Sequence, residues 1–261
     1  MNWRLQTARQ RWFRWFLRLV SLLILAASWR YISGLTLWEF VGDAPAQARD
    51  LFGRMTPPDW GSTAGLLHPL WDTITIATFG TLLAVIAAVP VALLAARNTA
   101  PLPAVRPFAL LLIVSSRSIN ALVWALLLVA LFGPGQVAGI LAIAFRSIGF
   151  IAKLLYETIE ESDPAPAEAV AATGAGGPLV LAYGIWPQVL PAFAGITLFR
   201  WDINIREATI LGLVGAGGIG LPLDAAVSAL QWPRAAMILL LIVGLVLAAE
   251  VVSARARQAV T

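Results

Sequence analysis

Long apolar runs alternate along this chain with short breaks built from proline, glycine and charge. A bilayer core takes about 20 apolar residues per helix. Six stretches approach that length: Leu17–Ile32, Thr73–Ala96, Phe108–Phe132, Val137–Tyr156, Val189–Val214 and Ala235–Val252. Pro57-Pro58, Pro101 with Pro103, Gly133-Pro134-Gly135 and Trp232-Pro233 punctuate them, as turn-forming residues do. No internal repeat or low-complexity tract is visible. The pattern predicts an all-α integral membrane protein with about six transmembrane helices.

Composition agrees. Of 261 residues 59% are hydrophobic and 12% charged, with mean hydropathy +0.82, against roughly 25% charged in soluble domains. No length is left for a separate soluble catalytic domain. Cysteine is absent, which excludes thiol chemistry, disulfides and cysteine-based metal sites. The single histidine, His68, cannot alone make a multi-histidine site, and His68-Pro69 reads as an outer-loop turn. The pI near 10.3 would suggest nucleic acid in a soluble protein. Here the arginines sit at span ends, so membrane lipid is the expected partner and nucleic acid is not.

Arginine placement orients the spans. Arg4, Arg9, Arg11, Arg14 and Arg18 precede the first span, Arg97 and Arg106 follow the second, and Arg255 and Arg257 follow the last. Alternating spans put all of these on one side, which the excess of positive charge makes the cytoplasm. Both termini and the polar stretch Glu160–Gly184 then lie inside, and Ser33–Asp72 lies outside. Four segments follow: residues 1–16 as an interfacial lead of interleaved arginines and aromatics, 17–72 as first span and outer loop, 73–253 as transmembrane core, and 254–261 as a cytoplasmic tail. Ala26-Ala27-Ser28 also offers the small residues of a cleavable signal, but the long basic lead and the span count favour a retained helix.

The polar interruption Glu160–Gly174 has local helix grammar. Asp163 suits an N-cap, Pro164 and Pro166 a first turn, Ala167–Thr173 a short helix, and Gly174 its stop. Gly177-Pro178 can open a second short helix, with Pro187 and Pro191 shaping entry to the next span. A helical corner of this kind transmits a push as rigid-body motion. An ordinary amphipathic inter-span loop is the plain alternative.

Charges also fall inside the apolar runs: Arg117, Arg146, Arg200, Asp202, Arg206 and Glu207. A charge at the bilayer centre costs ~2.5–3.5 kcal/mol on insertion scales, so such residues face a cavity or a partner. Helical spacing puts Asp202, Arg206 and Thr209 on one stripe and Arg200, Asn204 and Glu207 on another, with Asp202–Arg206 spaced for an ion pair. Arg117 and Asn120 would share a face of the third span. One reading is a path for a small tetrahedral oxyanion, lined by Arg117, Ser118, Asn120, Arg146, Ser147, Arg200, Asp202, Asn204, Arg206, Glu207 and Thr209. Carboxylates there would lower the net positive field so that the anion passes without being trapped. The other reading is structural pairs that lock helices or a subunit interface.

Gly215-Ala216-Gly217-Gly218-Ile219-Gly220 satisfies a dinucleotide-binding spacing, but it follows an apolar span and meets Leu221-Pro222 rather than joining a strand to a helix. A hinge or close-packing role at the outer face is expected, and Gly139 and Gly149 also read as packing sites. The one lysine, Lys153, lies in Ala152-Lys153-Leu154 and not in a phosphate-binding loop, so energy must come from another chain. A membrane hydrolase would need a nucleophile–base set or metal cluster, which Asp202 and Glu207 do not supply. An ion-driven carrier would use the intramembrane carboxylates, without the inverted repeats common in such proteins.

Glu168-Ala169, Gly174 and Pro187, in that spacing, resemble the coupling loop of binding-protein-dependent ABC importer permeases. The family order is Glu-Ala-Ala, three residues, Gly, nine residues, Ile-x-Leu-Pro, and this chain departs from it at Val170, Gly184, Ile185 and Trp186. Asp72-Thr73-Ile74, Phe79-Gly80-Thr81, Leu94–Asn98, Arg117-Ser118-Ile119 and Arg206–Gly220 are similar to the phosphonate/phosphite/hypophosphite permeases over about residues 70–255. Arg146 stands where that group would have histidine. The resemblance implies the fold of a type I ABC importer permease, like the methionine-importer permease. It implies a transport subunit in the bacterial inner membrane that is not itself an enzyme and binds no cofactor. ATP and Mg belong to a partner ATPase dimer, which grips Glu168, Ala169, Gly174 and Pro187. A periplasmic or lipid-anchored binding protein delivers substrate, and a second permease chain, identical or paralogous, completes the path. An importer of another small solute would show the same loop.

Overall fold

The computed structural model describes residues 8–260; Arg4 in the basic lead and Thr261 in the tail lie outside the described residues. The chain divides into two units, Met1–Arg54 and Met55–Thr261.

The first unit holds helix α1 (Ala8–Leu35) and helix α2 (Trp38–Met55). Helix α1 runs without a break through the boundary drawn at residue 16, because the arginines and aromatics of the lead carry no proline or glycine before Gly34. Helix α2 corrects the expectation of an outer loop there. Its charges are arranged as a helix wants them, with Glu39 in the first turn and Arg54 in the last, complementing the helix dipole. Asp50 and Arg54 pair at 2.8 Å. At the corner between α1 and α2, Trp38 Nε1 donates to the carbonyl and hydroxyl of Ser33 at 3.0 and 3.1 Å.

The second unit starts with a 3₁₀ turn, Trp60–Ser62, and helix α3 (Thr63–Ala95). This helix begins well before the predicted Thr73, and His68-Pro69 lies inside it rather than in a turn. His68 Nδ1 sits 3.1 Å from Asp72 one turn on. Thr73, Ala77, Gly80, Thr81, Ala84, Ala88, Ala92 and Ala95 form its buried stripe. Lipid tails are as apolar as a protein core, so helices in a bilayer gain from close van der Waals approach instead, which small residues permit. A methyl group on Gly80 would stand 2.7 Å from Ile143 of the facing helix.

The run Phe108–Phe132 is not one continuous helix, contrary to expectation. It is helix α4 (Val105–Ser118) and helix α5 (Ala121–Phe132), bent by 90°. Ile119 and Asn120 between them are extended, and the Asn120 side chain accepts from Leu122 N at 3.1 Å. A polar side chain in the middle of an apolar run is here an N-cap. Arg117 and Asn120 therefore share no helical face.

Helix α6 (Gln136–Glu161) follows, then α7 (Pro164–Ala172), α8 (Gly177–Val180), a π-helical turn Leu181–Ile185 and α9 (Trp186–Leu211). After α9 a 3₁₀ turn, Gly212–Val214, leads through Gly215, Gly217 and Gly218, all at positive φ, into α10 (Gly220–Ser228) and α11 (Trp232–Val260). The glycine run is a packing element, since Ile219 N donates to Thr73 Oγ1 at 2.8 Å and Gly139 lies against the Ala216 carbonyl. No strand precedes it among the described residues. Five segments are long and apolar enough to cross a membrane, and the bent α4–α5 pair makes a sixth if counted as one span. Helices α3, α6 and α9 meet in the centre, joined by the cores around Ile76, Ala142 and Ile205 and around Ala88, Leu155 and Val189.

Candidate coupling surface and intramembrane site

Helix α7 has the predicted grammar. The Asp163 side chain accepts from Ala165 N at 3.0 Å, proline occupies the first turn, and Gly174 ends the segment at φ +80°. No residue of α7 is buried; Glu168, Ala169 and Gly174 are exposed, as is Pro187 in the first turn of α9. The helix is nonetheless fixed. Asp163 N donates to Gln188 Oε1 and Gln188 Nε2 donates back to Asp163 O, both at 3.1 Å. Gly184, one of the departures from the family spacing, lets α7 approach: a methyl group there would stand 2.6 Å from Ala167 Cα. The same end of the unit gathers Arg97 and Arg106 on Glu160, with Arg97 N at 2.9 Å and Arg106 Nη2 at 3.4 Å from Oε1.

The intramembrane charges separate into three places. Between the middle of α6 and the C-terminal half of α9, Glu207 bridges two arginines: its Oε1 accepts from Arg146 Nη1, and its Oε2 lies 3.3 Å from Arg200 Nη2. Arg200 is 3% exposed. It also donates from Nε to Ser147 Oγ at 2.9 Å and lies with its guanidinium carbon 5.2 Å from the centre of the Phe150 ring. Ser147 Oγ donates to Asn204 Oδ1 at 3.2 Å, and Asn204 Nδ2 donates to Thr81 Oγ1 at 2.8 Å. The chain ends where Thr81 Oγ1 donates to the Ala77 carbonyl. Five of the anticipated residues thus meet in one network, Arg146, Ser147, Arg200, Asn204 and Glu207, whose formal charge is +1 with both arginines and the glutamate ionised. Arg146, with 30% of its side chain exposed, is the most exposed of the three charged members.

Asp202 and Arg206 form the predicted ion pair within α9, and Thr209 Oγ1 donates to the Arg206 carbonyl at 2.7 Å. Among the described residues no hydrogen bond or ion pair joins this pair to the Glu207 network, and Asp202 Oδ1 is buried without a hydrogen-bond partner. Arg117, Ser118 and Asn120 lie exposed around the α4–α5 break. Ser118 Oγ donates to Val114 O at 2.8 Å, and Arg117 has no ion pair among the described residues.

Sequence reasoning missed Thr81, Phe150 and Ser116. Thr81 could have been found as a hydroxyl inside the alanine stripe of α3. Nothing local marks Ser116, whose hydroxyl donates to Phe145 O and accepts from Gly149 N. An unbroken α-helix pairs those two backbone groups with each other. A side chain of α4 therefore bonds both backbone groups of one turn of α6, beside Arg146. Gly149 makes room for it, since a methyl group there would stand 2.8 Å from Ser116 Oγ.

Comparison with known proteins follows the same lines. The chain is 38% identical over 224 residues to the phosphite transport system permease protein PtxC of Stutzerimonas stutzeri, covering 86% of this chain and 81% of that one. It is 35% identical over 238 residues to the putative phosphite transport system permease protein HtxC of the same organism, covering 91% and 84%. The phosphate-import permease protein PhnE of Mycolicibacterium smegmatis is 40% identical over 208 residues, 80% of this chain and 39% of that longer one. Among solved structures, an inward-facing conformation of the MetNI methionine ABC transporter matches with TM-score 0.67 at 19% identity, over 78% of this chain and 99% of the other. An amino acid ABC transporter crystallised with histidines matches with TM-score 0.63 at 19% identity, over 77% and 98%. These give the fold of a type I ABC importer permease. Residues 80–260 match the family described as binding-protein-dependent transport system inner membrane component; the chain belongs to that family, the membrane-spanning permease subunits of ABC importers, in which ATP is hydrolysed by a separate subunit.

Proposed function

We propose that this chain is the permease subunit of an importer for phosphite, phosphonate or hypophosphite. The observation that carries the reading is the 38% identity to a phosphite permease over most of both chains. It is supported by a network of net charge +1 between α6 and α9, in which Arg146 is the most exposed member. Guanidinium groups recognise tetrahedral oxyanions through paired, charge-assisted hydrogen bonds. Arg146 and Arg200, with Ser147 and Asn204, would meet the anion; Arg117, Ser118 and Asn120 would line its approach, and Asp202, Arg206 and Thr209 its exit.

An external binding protein would load the anion, and an ATPase dimer carrying ATP and Mg would grip Glu168, Ala169, Gly174 and Pro187. The fixed α7–α9 corner supports this, because a displacement of α7 carries the base of α9, and α9 bears Arg200 and Glu207. A second permease chain would complete the path, and the assembly would rock between outward- and inward-open states. Both termini would lie in the cytoplasm of a bacterium, at the face that carries α7, Arg97 and Arg106.

The test is ATP hydrolysis by this chain co-expressed with its ATPase and binding protein in lipid, titrated with phosphite, methylphosphonate and hypophosphite. Stimulation by one loaded form, lost in Glu168→Ala, is the expected result. Transport of these anions without any ATPase, driven by a proton or sodium gradient, would refute the reading.

A further inference from the structure

The two arginines on Glu207 are held unequally. Arg200 is enclosed by Glu207, Ser147 and the Phe150 ring and is 3% exposed. For Arg146 the side-chain bonds found among the described residues all go to one atom, Glu207 Oε1, and 30% of its side chain is open. Glu207 uses its two oxygens separately, one for each arginine, so it can release one while keeping the other. Its own side chain is 16% exposed, so a released Oε1 stays within a largely buried, cationic setting.

We infer that Glu207 is a built-in competitor for the transported anion: an oxyanion reaches Arg146, takes the place of Glu207 Oε1 on its guanidinium, and is expelled when the carboxylate returns. This rests on the oxyanion reading proposed above and names the residue that controls how tightly that site holds. The electrostatics give the reason. Without the carboxylate the buried Arg200 and the partly exposed Arg146 together present +2, which would bind a phosphorus oxyanion and keep it. With it, the exchange swaps one anionic partner for another, so neither the occupied nor the empty state leaves Arg146 unpaired. Removing a partner from a buried charge is what makes such sites costly; an exchange avoids that in both directions. Ser147 and Asn204 hold Arg200 still while Arg146 changes partner.

The experiment uses the whole importer, this chain with its ATPase and second permease chain in nanodiscs. Binding of radiolabelled phosphite is measured without binding protein, and phosphite turnover is measured with it. Glu207→Gln keeps the shape and one acceptor oxygen but gives up the charge. It should bind phosphite about tenfold more tightly than wild type, the scale of one charge-assisted hydrogen bond, and turn over more slowly. Glu207→Asp keeps the charge with a shorter reach and should shift both quantities in the same direction by less. A damaged fold would slow turnover but would not tighten binding. Equal or weaker phosphite binding in Glu207→Gln, or in Glu207→Asp should the Gln variant not assemble, overturns the inference. The oxyanion reading fails separately, and takes the inference with it, if the wild-type importer takes up none of phosphite, methylphosphonate, hypophosphite and phosphate.

Discussion

The coupling helix and the Glu207 network are opposites. Helix α7 has no buried residue and is specified within about a dozen consecutive residues: a cap, two prolines, a run of alanines and a stopping glycine. The network is largely buried and draws on α3, α6 and α9, with its interhelical partners more than fifty positions apart in the chain. A surface made to be gripped can be written locally, because capping and helix propensity act over single turns. A polar site shared by several helices cannot, because Arg146 meets Glu207, and Ser147 meets Arg200, only where α6 packs on α9. Function would be lost through poor contact in the first region and through misfolding or mischarging in the second.

The contrast predicts a gradient of stability effects. Arg200→Ala should cost most, about 3–5 kcal/mol, because it strips a buried ion pair of one member and leaves Ser147 without its donor. A large fall in thermal unfolding temperature in detergent is the expected readout, and an unchanged one would show that the network does not hold the helices together. Gly184→Ala comes next. Its methyl group would stand 2.6 Å from Ala167 Cα, and overpacking of this kind costs about 1–3 kcal/mol. It should also displace α7 and uncouple ATP hydrolysis from uptake.

Asp163→Ala removes the N-cap and should cost about 0.5–2 kcal/mol, seen as faster amide exchange confined to α7; Asp163→Asn should restore protection. The smallest effect on stability is expected at Glu168. Its side chain is exposed and makes no ion pair among the described residues, so Glu168→Ala should shift stability by within about 0.5 kcal/mol while abolishing stimulated ATP hydrolysis. Stability loss there comparable to that of Arg200→Ala would erase the contrast between the two regions.

Much of the candidate coupling surface was legible. Asp163, Pro164, Gly174 and Gly177-Pro178 each stand where the sequence put them, since each acts through its own backbone neighbourhood. The Asp202–Arg206 pair was legible for the same reason, being one helical turn apart. The α4–α5 break was not. An apolar run reads as one span whatever its path, and Asn120 declares itself as a cap only once Ile119 is seen extended. Helix α2 was hidden by Pro45 and its charges, which read as loop. The stripes of α9 correctly put Arg200, Asn204 and Glu207 on one side, but they named no partner for any of them.

The sequence by itself determined the membrane class, the number of spans to within the broken one, the local form of α7 and the set of charged residues inside the apolar runs. Those follow from composition, periodicity and capping, which act within one segment. Tertiary structure alone decided that Glu207 is shared by Arg146 and Arg200, that Thr81 ends the polar chain, and that Ser116 bonds the backbone of α6. Each of those depends on how closely two helices approach. That distance is set by the small residues at the interface, Gly80 facing Ile143 and Gly149 facing Ser116, and a linear pattern does not say which helix will stand opposite.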